Sequence, residues 1–454
     1  MCSPLHSGTV IQRYHALGRW VRVLTIPLLA LSLLGLAQEQ EEHTMTIVLK
    51  SPEAEEYQQL DVQVEALSLP DHPAEVLPPV PDASGPYYRL HGNSEQNGRV
   101  DATLPAGEWA LAWEQTLRPG FVPEAVLCSG DRLLVQTGVW QLFSLGGELL
   151  REGSVGSGGI TLDAEKSLFY HMDKMGDLAG RNLSDGEQAF AFMPFLGEEF
   201  SRTLIRRVDD NLLLVGIERQ LDPHGHKKAS RTLLEWYHLG DMKTLTVSGM
   251  LATGRNEGTL ILPSTRTMTA TTAQCTVTAA PGHLYFTTPE AAIARAFGGD
   301  LQPVALSLGG NEIAYLVVRE GDRLNLLCLA EDGHLLRRYT FPEGVHSLLA
   351  PPLVGFDGRI YLLLHGTVIA LAPDMSTLWE SSENGPNVGA TITRNGQLVV
   401  SGMRSIGILD PTGAYQPIAG KAETDYCTAP IVTDSGEIAV ASKRQLHVFH
   451  TKKD

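Results

Sequence analysis

Apolar and polar positions along this chain switch in short steps. Apolar, β-branched runs of four to six residues recur, bounded by turn pairs such as Asp357-Gly358, Asn395-Gly396 and Ser435-Gly436. Runs of that length between glycine turns predict short antiparallel strands. The clearest example is residues 350–379, APPLVGFDGRIYLLLHGTVIALAPDMSTLW. It reads as a strand at 352–356, a turn at Asp357-Gly358, a strand at 359–364, a turn at Gly366, a strand at 368–371 and a closing Trp379. Beyond the first 37 residues no long amphipathic run at helical spacing is present.

Variants of this unit recur. Their central strands fall at 132–135, 167–170, 211–215, 283–286, 312–317, 359–364, 397–400 and 437–440. Most spacings lie near the roughly 40–50 residues of a four-stranded propeller blade; the stretch from Leu212 to Leu284 is longer and the next one shorter. A lone four-stranded sheet leaves both faces wet, so successive sheets must stack around an axis to bury them. The expected fold is all-β: an eight-bladed β-propeller of four-stranded antiparallel blades, with seven blades as the alternative. Residues 109–117, carrying Trp113, form an outer-type strand with no first three strands before it, and 446–450 form a third strand with no fourth. The N-terminal strand is therefore expected to complete the last blade and pair two otherwise open edges.

The units resemble the repeats of the pyrroloquinoline-quinone-like, or quinoprotein-type, β-propeller superfamily. Residues 350–379, 388–415 and 428–449 carry its Pro, Gly-turn, strand, Gly, strand, Leu-Asp-x-x-Gly and Trp pattern best, and 125–149 carry it fairly. PYYRLHGNSEQNGRV, residues 86–100, is similar to the segment with which such propellers open, although Tyr87 stands where Trp is usual. The resemblance covers 86 to the C-terminus and is degenerate between 151 and 310. It implies a quinone cofactor only where further motifs accompany it: adjacent cysteines, a stacking Trp and a Ca²⁺ site beside a catalytic Asp. This chain has neither adjacent cysteines nor a Cys-x-x-Cys-His for attached haem, so no cofactor is expected.

Composition sharpens the compartment. Three arginines, Arg13, Arg19 and Arg22, precede the apolar run VLTIPLLALSLLGLA at 23–37, and Gly35 and Ala37 suit a cut before Gln38. The first 37 residues thus read as an export signal and the protein as periplasmic or secreted, with an uncleaved membrane anchor as the alternative. Residues 38–86 are acidic, contain one strand pair at 45–49 and 60–64, and turn proline-rich from 69, as a linker or a strap along the propeller; residues 87–454 are the propeller. The formal net charge of -17 disfavours nucleic acid as a partner. The mature chain is expected to be a monomer without stable membrane insertion. Beyond the signal, Cys128, Cys275, Cys328 and Cys427 could make two disulfides in an oxidising compartment. Each, however, lies in or beside an apolar strand with no close partner, as lone thiols do; Cys128 with Cys427 is the pair to test.

Two polar clusters carry candidate chemistry. Asp222, His224 and His226 in LDPHGHKK could ligate a metal, yet two lysines follow and the composition is that of a hairpin tip. His171, Asp173, Lys174 and Asp177 in YHMDKMGDLAG could do acid–base work, but a polar turn between strands explains them equally. The longest connections, at 171–180, 217–231 and 251–274, should crowd one face. His171, Asp173, Asp177, Asp222, His224 and His226 are the candidate binding residues there. The resulting expectation is a non-enzymatic, exported propeller acting as a scaffold for a protein partner in the cell envelope. A quinoprotein-type dehydrogenase and a carbohydrate-binding propeller are the alternatives; Trp236 and Tyr237 are the aromatics in question for the last.

Overall fold

The computed structural model describes residues 98–192 and 301–452, apart from 157–158, 175, 310–312, 331–332, 383–387 and 420–424. Elsewhere it describes strands alone, between 43 and 66 and between 200 and 296. Every element among the described residues is a strand and none is a helix. Among the described residues six sheets are four-stranded and one is ten-stranded. Seven of the eight predicted central strands are the second strand of an antiparallel group of four, as with Arg132–Gln136, Ile360–Leu364 and Ile438–Ala441. The eighth, 283–286, falls in His283–Thr287, the third strand of its group, whose second is Thr276–Ala280; this displaced marker lengthens the spacing before it and shortens the one after it.

Alternation explains why the sheets stack. Ile360–Leu364 is buried throughout. Ile360, Leu362 and Leu364 pack with Tyr315, Val317 and Leu326 of the preceding sheet, 302–340. Tyr361 and Leu363 pack with Ile392, Leu398 and Val400 of the following one, 389–419. A period of two therefore buries both faces of one strand, and at about 1.5–3 kcal/mol per large apolar side chain each interface between sheets is a core in its own right. The glycines predicted at the turns are required there: Gly358, Gly396 and Gly436 have φ of 78°, 76° and 84°.

Tryptophan locks neighbouring sheets by a repeated geometry. Trp113 Nε1 donates to Leu145 O at 2.8 Å and Trp379 Nε1 to Pro411 O at 3.0 Å, the acceptor lying 32 residues downstream in both. Each indole rests on the glycine two residues further on, where a Cβ would approach to 2.9 Å at Gly147 and 2.8 Å at Gly413.

Trp109–Thr116 pairs antiparallel with Gln445–Thr451, from Trp109 opposite Thr451 to Thr116 opposite Gln445. It is the outer member of the sheet that also holds Ile431–Val432 and Ile438–Ala441. The opening segment adds to an inner edge. Ile392 N donates to Gly98 O and Val100 N to Ile392 O, both at 2.9 Å. This buries Arg99 with its guanidinium 5.2 Å above the Phe356 ring.

The middle of the chain departs from the regular spacing. Asn211–Leu221 and Lys227–His238 have 11 and 12 residues, which stretches the interval after Leu212. The predicted N-terminal strand pair is present as His43–Lys50 with Tyr57–Ala66. It lies between Asn256–Leu262 and Ala292–Ala296, joining the strands of 200–262 and 268–296 into the ten-stranded sheet. The proline-rich tail 69–86, the part read as a linker or a strap, lies outside the described residues.

Candidate functional site

Connections between second and third strands, and those between one sheet and the next, emerge together on one face. Backbone hydrogen bonds lace them: Tyr426 N to Met403 O, Leu117 N to Arg444 O, Glu124 N to Gln136 O and Gly156 N to Met172 O, all at 2.6–2.8 Å. Donors and acceptors that would otherwise face water are used between loops, which makes the face a firm platform.

On this platform stand three exposed apolar side chains. Phe121 and Val122 lie between Trp109–Thr116 and Ala125–Ser129, and Met403 lies in the hairpin after Leu398–Ser401; they are 44%, 58% and 57% exposed. Phe121 is held from below because residue 138 is glycine; a Cβ there would come within 2.1 Å of the ring. Charged groups flank them. Arg404 Nε lies 3.0 Å and Lys443 Nζ 3.5 Å from Asp425, and Arg118 Nη1 lies 2.6 Å from Glu152. The hydrogen bond from Arg404 holds the Asp425 carboxyl below its ordinary range.

The predicted site residues are placed differently. His171 is not in a loop: it lies in Leu168–Met172, fully buried, between Ile160 and Ala179 of the adjacent strands. Its Nδ1 is 3.0 Å from Met172 O, a group that can only accept, so Nδ1 carries the hydrogen and Nε2 accepts from Arg181 Nε at 2.9 Å. Burial lowers its pKa to about 4, leaving a neutral ring at neutral pH. Arg181 lies 5.1 Å over the Trp140 ring, and burial lowers its pKa too. The cluster thus joins the 125–154 and 160–192 sheets; all its polar contacts are internal.

Asp173 and Asp177 do lie at the face, but each shapes the turn. Asp177 N donates to Asp173 Oδ1 at 3.0 Å and Asp173 N to Asp177 O at 2.8 Å. The connection at 171–180 is accordingly a tight hairpin, and 251–274 contains the strands Asn256–Leu262 and Met268–Thr271, so neither is a long loop. Asp222, His224 and His226 lie outside the described residues. Among the described residues no group of three or more His, Cys, Asp or Glu is placed to hold a metal. Trp236 and Tyr237 lie within Lys227–His238, opposite Leu213 and Leu212.

Cys128, Cys328 and Cys427 are free thiols, so the Cys128–Cys427 pair is not made; Cys275 lies outside the described residues. Burial pushes Cys128 and Cys328 up to about 12, which leaves almost no thiolate for chemistry. The residues missed from the sequence are Phe121, Val122 and Met403. Their signal was an apolar residue inside turn composition, GFVP and SGMRS, where no core position is due.

No family model matches the sequence, and no curated protein does. Solved structures resemble it in fold. A quinohemoprotein alcohol dehydrogenase from Comamonas testosteroni aligns with TM-score 0.56 and 10% identity, over 81% of each chain. Another from Pseudomonas putida aligns with TM-score 0.55 and 10% identity, again over 81% of each. A europium-containing methanol dehydrogenase aligns with TM-score 0.53 and 10% identity, over 81% of this chain and 98% of its own. These are members of the pyrroloquinoline-quinone-like superfamily, and the chain has their β-propeller fold. Identity this low speaks for the fold and not for the chemistry.

Proposed function

We propose that the chain is an exported, non-enzymatic propeller that serves as a protein-interaction scaffold in the cell envelope. In this proposal the ten-stranded sheet supplies two of eight blades, and Trp109–Thr116 seals the ring. The observation that carries it is the exposed set of Phe121, Val122 and Met403 on a platform of interlocked loops. Apolar side chains left in water on rigid backbone cost little to order on binding and gain by burial, the property of a docking surface. The flanking Arg118, Arg404 and Lys443 would steer an acidic, apolar-tipped segment to it.

A photo-crosslinking residue at Met403 or Val122, with a control in the turn at Asp374, tests the assignment in envelope preparations. One shared partner is expected from the first two positions and not from the third. Its capture should fall at least tenfold in a Phe121→Ser, Met403→Ser double variant that keeps the parent's melting temperature. Equal capture from all three positions would overturn the proposal, as would reduction of a dye by alcohols after loading with pyrroloquinoline quinone and Ca²⁺. N-terminal sequencing of the mature protein checks the export signal, with Gln38 expected first.

A further inference from the structure

Hydrogen bonds between loops put the platform's side chains in a fixed order. Tyr426 N donates to Met403 O at 2.7 Å, Lys443 N to Asp425 O at 3.2 Å and Leu117 N to Arg444 O at 2.7 Å. Arg118 N then donates to Gln141 Oε1 at 3.0 Å, and the Phe121 ring rests on Gly138 of the next hairpin. Each contact joins one loop to the following one, so the order runs Met403 and Arg404, Asp425, Lys443 and Arg444, Arg118, then Phe121 and Val122. This arc crosses three sheets that share one core: 389–419, the sheet sealed by Trp109–Thr116, and 125–154. Apolar side chains stand at its two ends and cations fill its middle. Pro119 and Pro123 bracket Phe121 and Val122, which fixes the backbone that presents them.

The cations are available. Arg404 and Lys443 are more than half exposed, and Asp425 is the carboxylate that answers them, 3.0 Å from Arg404 Nε and 3.5 Å from Lys443 Nζ. That bond uses Arg404 Nε, leaving the terminal nitrogens of its fork without a partner among the described residues. Arg444 is exposed, and among the described residues its guanidinium makes no hydrogen bond or ion pair. An ion pair as exposed as that of Asp425 is weak, so a carboxylate of a ligand competes with it for the same cations.

In a chain of net charge -17 this arc is a local reversal of sign. Salt screens the chain's other carboxylates beyond about 8 Å, so a narrow ligand lying along the arc meets the cations. A bilayer is a poorer match, because its phosphates would face the acidic remainder of the surface as well.

We infer that the platform takes an extended acidic peptide segment with an apolar residue at each end, its carboxylates on Arg404, Lys443 and Arg444 and its ends on Met403 and Phe121, in competition with Asp425. The inference rests on the reading of the platform as a protein-docking surface. Charge-assisted hydrogen bonds supply selectivity for carboxylates, and the apolar ends supply burial.

The test uses the full chain and fluorescein-labelled synthetic peptides followed by anisotropy. Each peptide has leucine at one end, phenylalanine at the other and a run of aspartates between, lengthened one residue at a time across the set. One run length is expected to bind best, at least tenfold more tightly than the same peptide with asparagine for aspartate or with serine at both ends. Lys443→Gln, Arg444→Gln should lower its affinity at least tenfold; Arg444→Gln alone, which breaks no bond, should lower it at least threefold. Asp425→Asn keeps the backbone acceptor for Lys443 N and should raise affinity at least threefold, whereas a merely structural Asp425 would leave it unchanged or lower it. No binding at any run length, equal binding of the asparagine peptide, or an Asp425→Asn chain no tighter than the parent would each overturn the inference. Binding to phosphatidylglycerol vesicles that no peptide competes away, and that is lost in the Lys443→Gln, Arg444→Gln chain, would overturn it in favour of a membrane surface. Crosslinking from Met403 and Val122 reports separately on the docking surface. A partner captured equally by the parent and by the Lys443→Gln, Arg444→Gln chain keeps that surface and removes the acidic segment; no capture removes both.

Discussion

Residues 350–452 and residues 200–296 are built from the same repeat with different outcomes. In the first stretch, strands of two to seven residues close into separate four-stranded sheets. Glycine turns fix where each strand stops, and Trp379 fixes where one sheet meets the next. In the second, strands reach 11 and 12 residues, and the groups are joined through a hairpin from elsewhere in the chain. A repeat keeps its boundaries when turn chemistry ends every strand; where strands run on, the outer edge is covered by other means.

The largest expected effect comes from removing the tryptophan lock of the regular stretch. Trp379→Ala should cost about 3 kcal/mol in denaturant unfolding, through lost packing and the loss of one of the two hydrogen bonds to the Pro411 carbonyl, the other coming from Arg359 Nη1. An effect below 1 kcal/mol would mean that turns alone keep the sheets apart.

Acid should loosen the border of the irregular stretch first. His171 has a folded pKa near 4 against about 6.5 unfolded, so the unfolded state binds more protons between those values and stability falls as pH drops from 6.5 to 4. The loss approaches about 3 kcal/mol. Melting temperatures across that window should decline in the parent and flatten in His171→Gln.

Gly413→Ala sharpens the comparison more finely. Its φ of 88° and the indole beneath it predict about 1–2 kcal/mol of destabilisation by thermal melting. Smallest is Arg118→Ala, which breaks an exposed pair with Glu152 and should change unfolding free energy by about 0–1 kcal/mol.

The legible part of this protein was what short-range chemistry dictates. Seven of the eight second strands could be located because apolar runs end at glycine turns, and the strand pair at 45–49 and 60–64 could be placed within the hairpin of His43–Lys50 and Tyr57–Ala66. The misplaced part depended on distant partners. His171 reads as a turn residue until Arg181 and Trp140 are known to surround it. The strands within 251–274 were hidden because turn-forming Gly258 and Pro263 lie in and beside a short apolar run, so the whole stretch resembled a loop. Phe121, Val122 and Met403 drew no notice because periodicity identifies core, and these residues belong to none.

Glu108 and Lys452, 344 residues apart in sequence, meet in a 2.6 Å ion pair at the end of the pairing between Trp109–Thr116 and Gln445–Thr451. During synthesis the earlier of these strands must wait, with its hydrogen-bonding groups bare, until residues 445–451 have been made. Such a wait is slow in folding terms, because the entropy of so long a loop is lost before any contact compensates it. A nascent chain stalled or clipped short of residue 445 would keep a sticky edge at Trp109–Thr116, which makes loss of the one strand Gln445–Thr451 more damaging than its seven residues suggest.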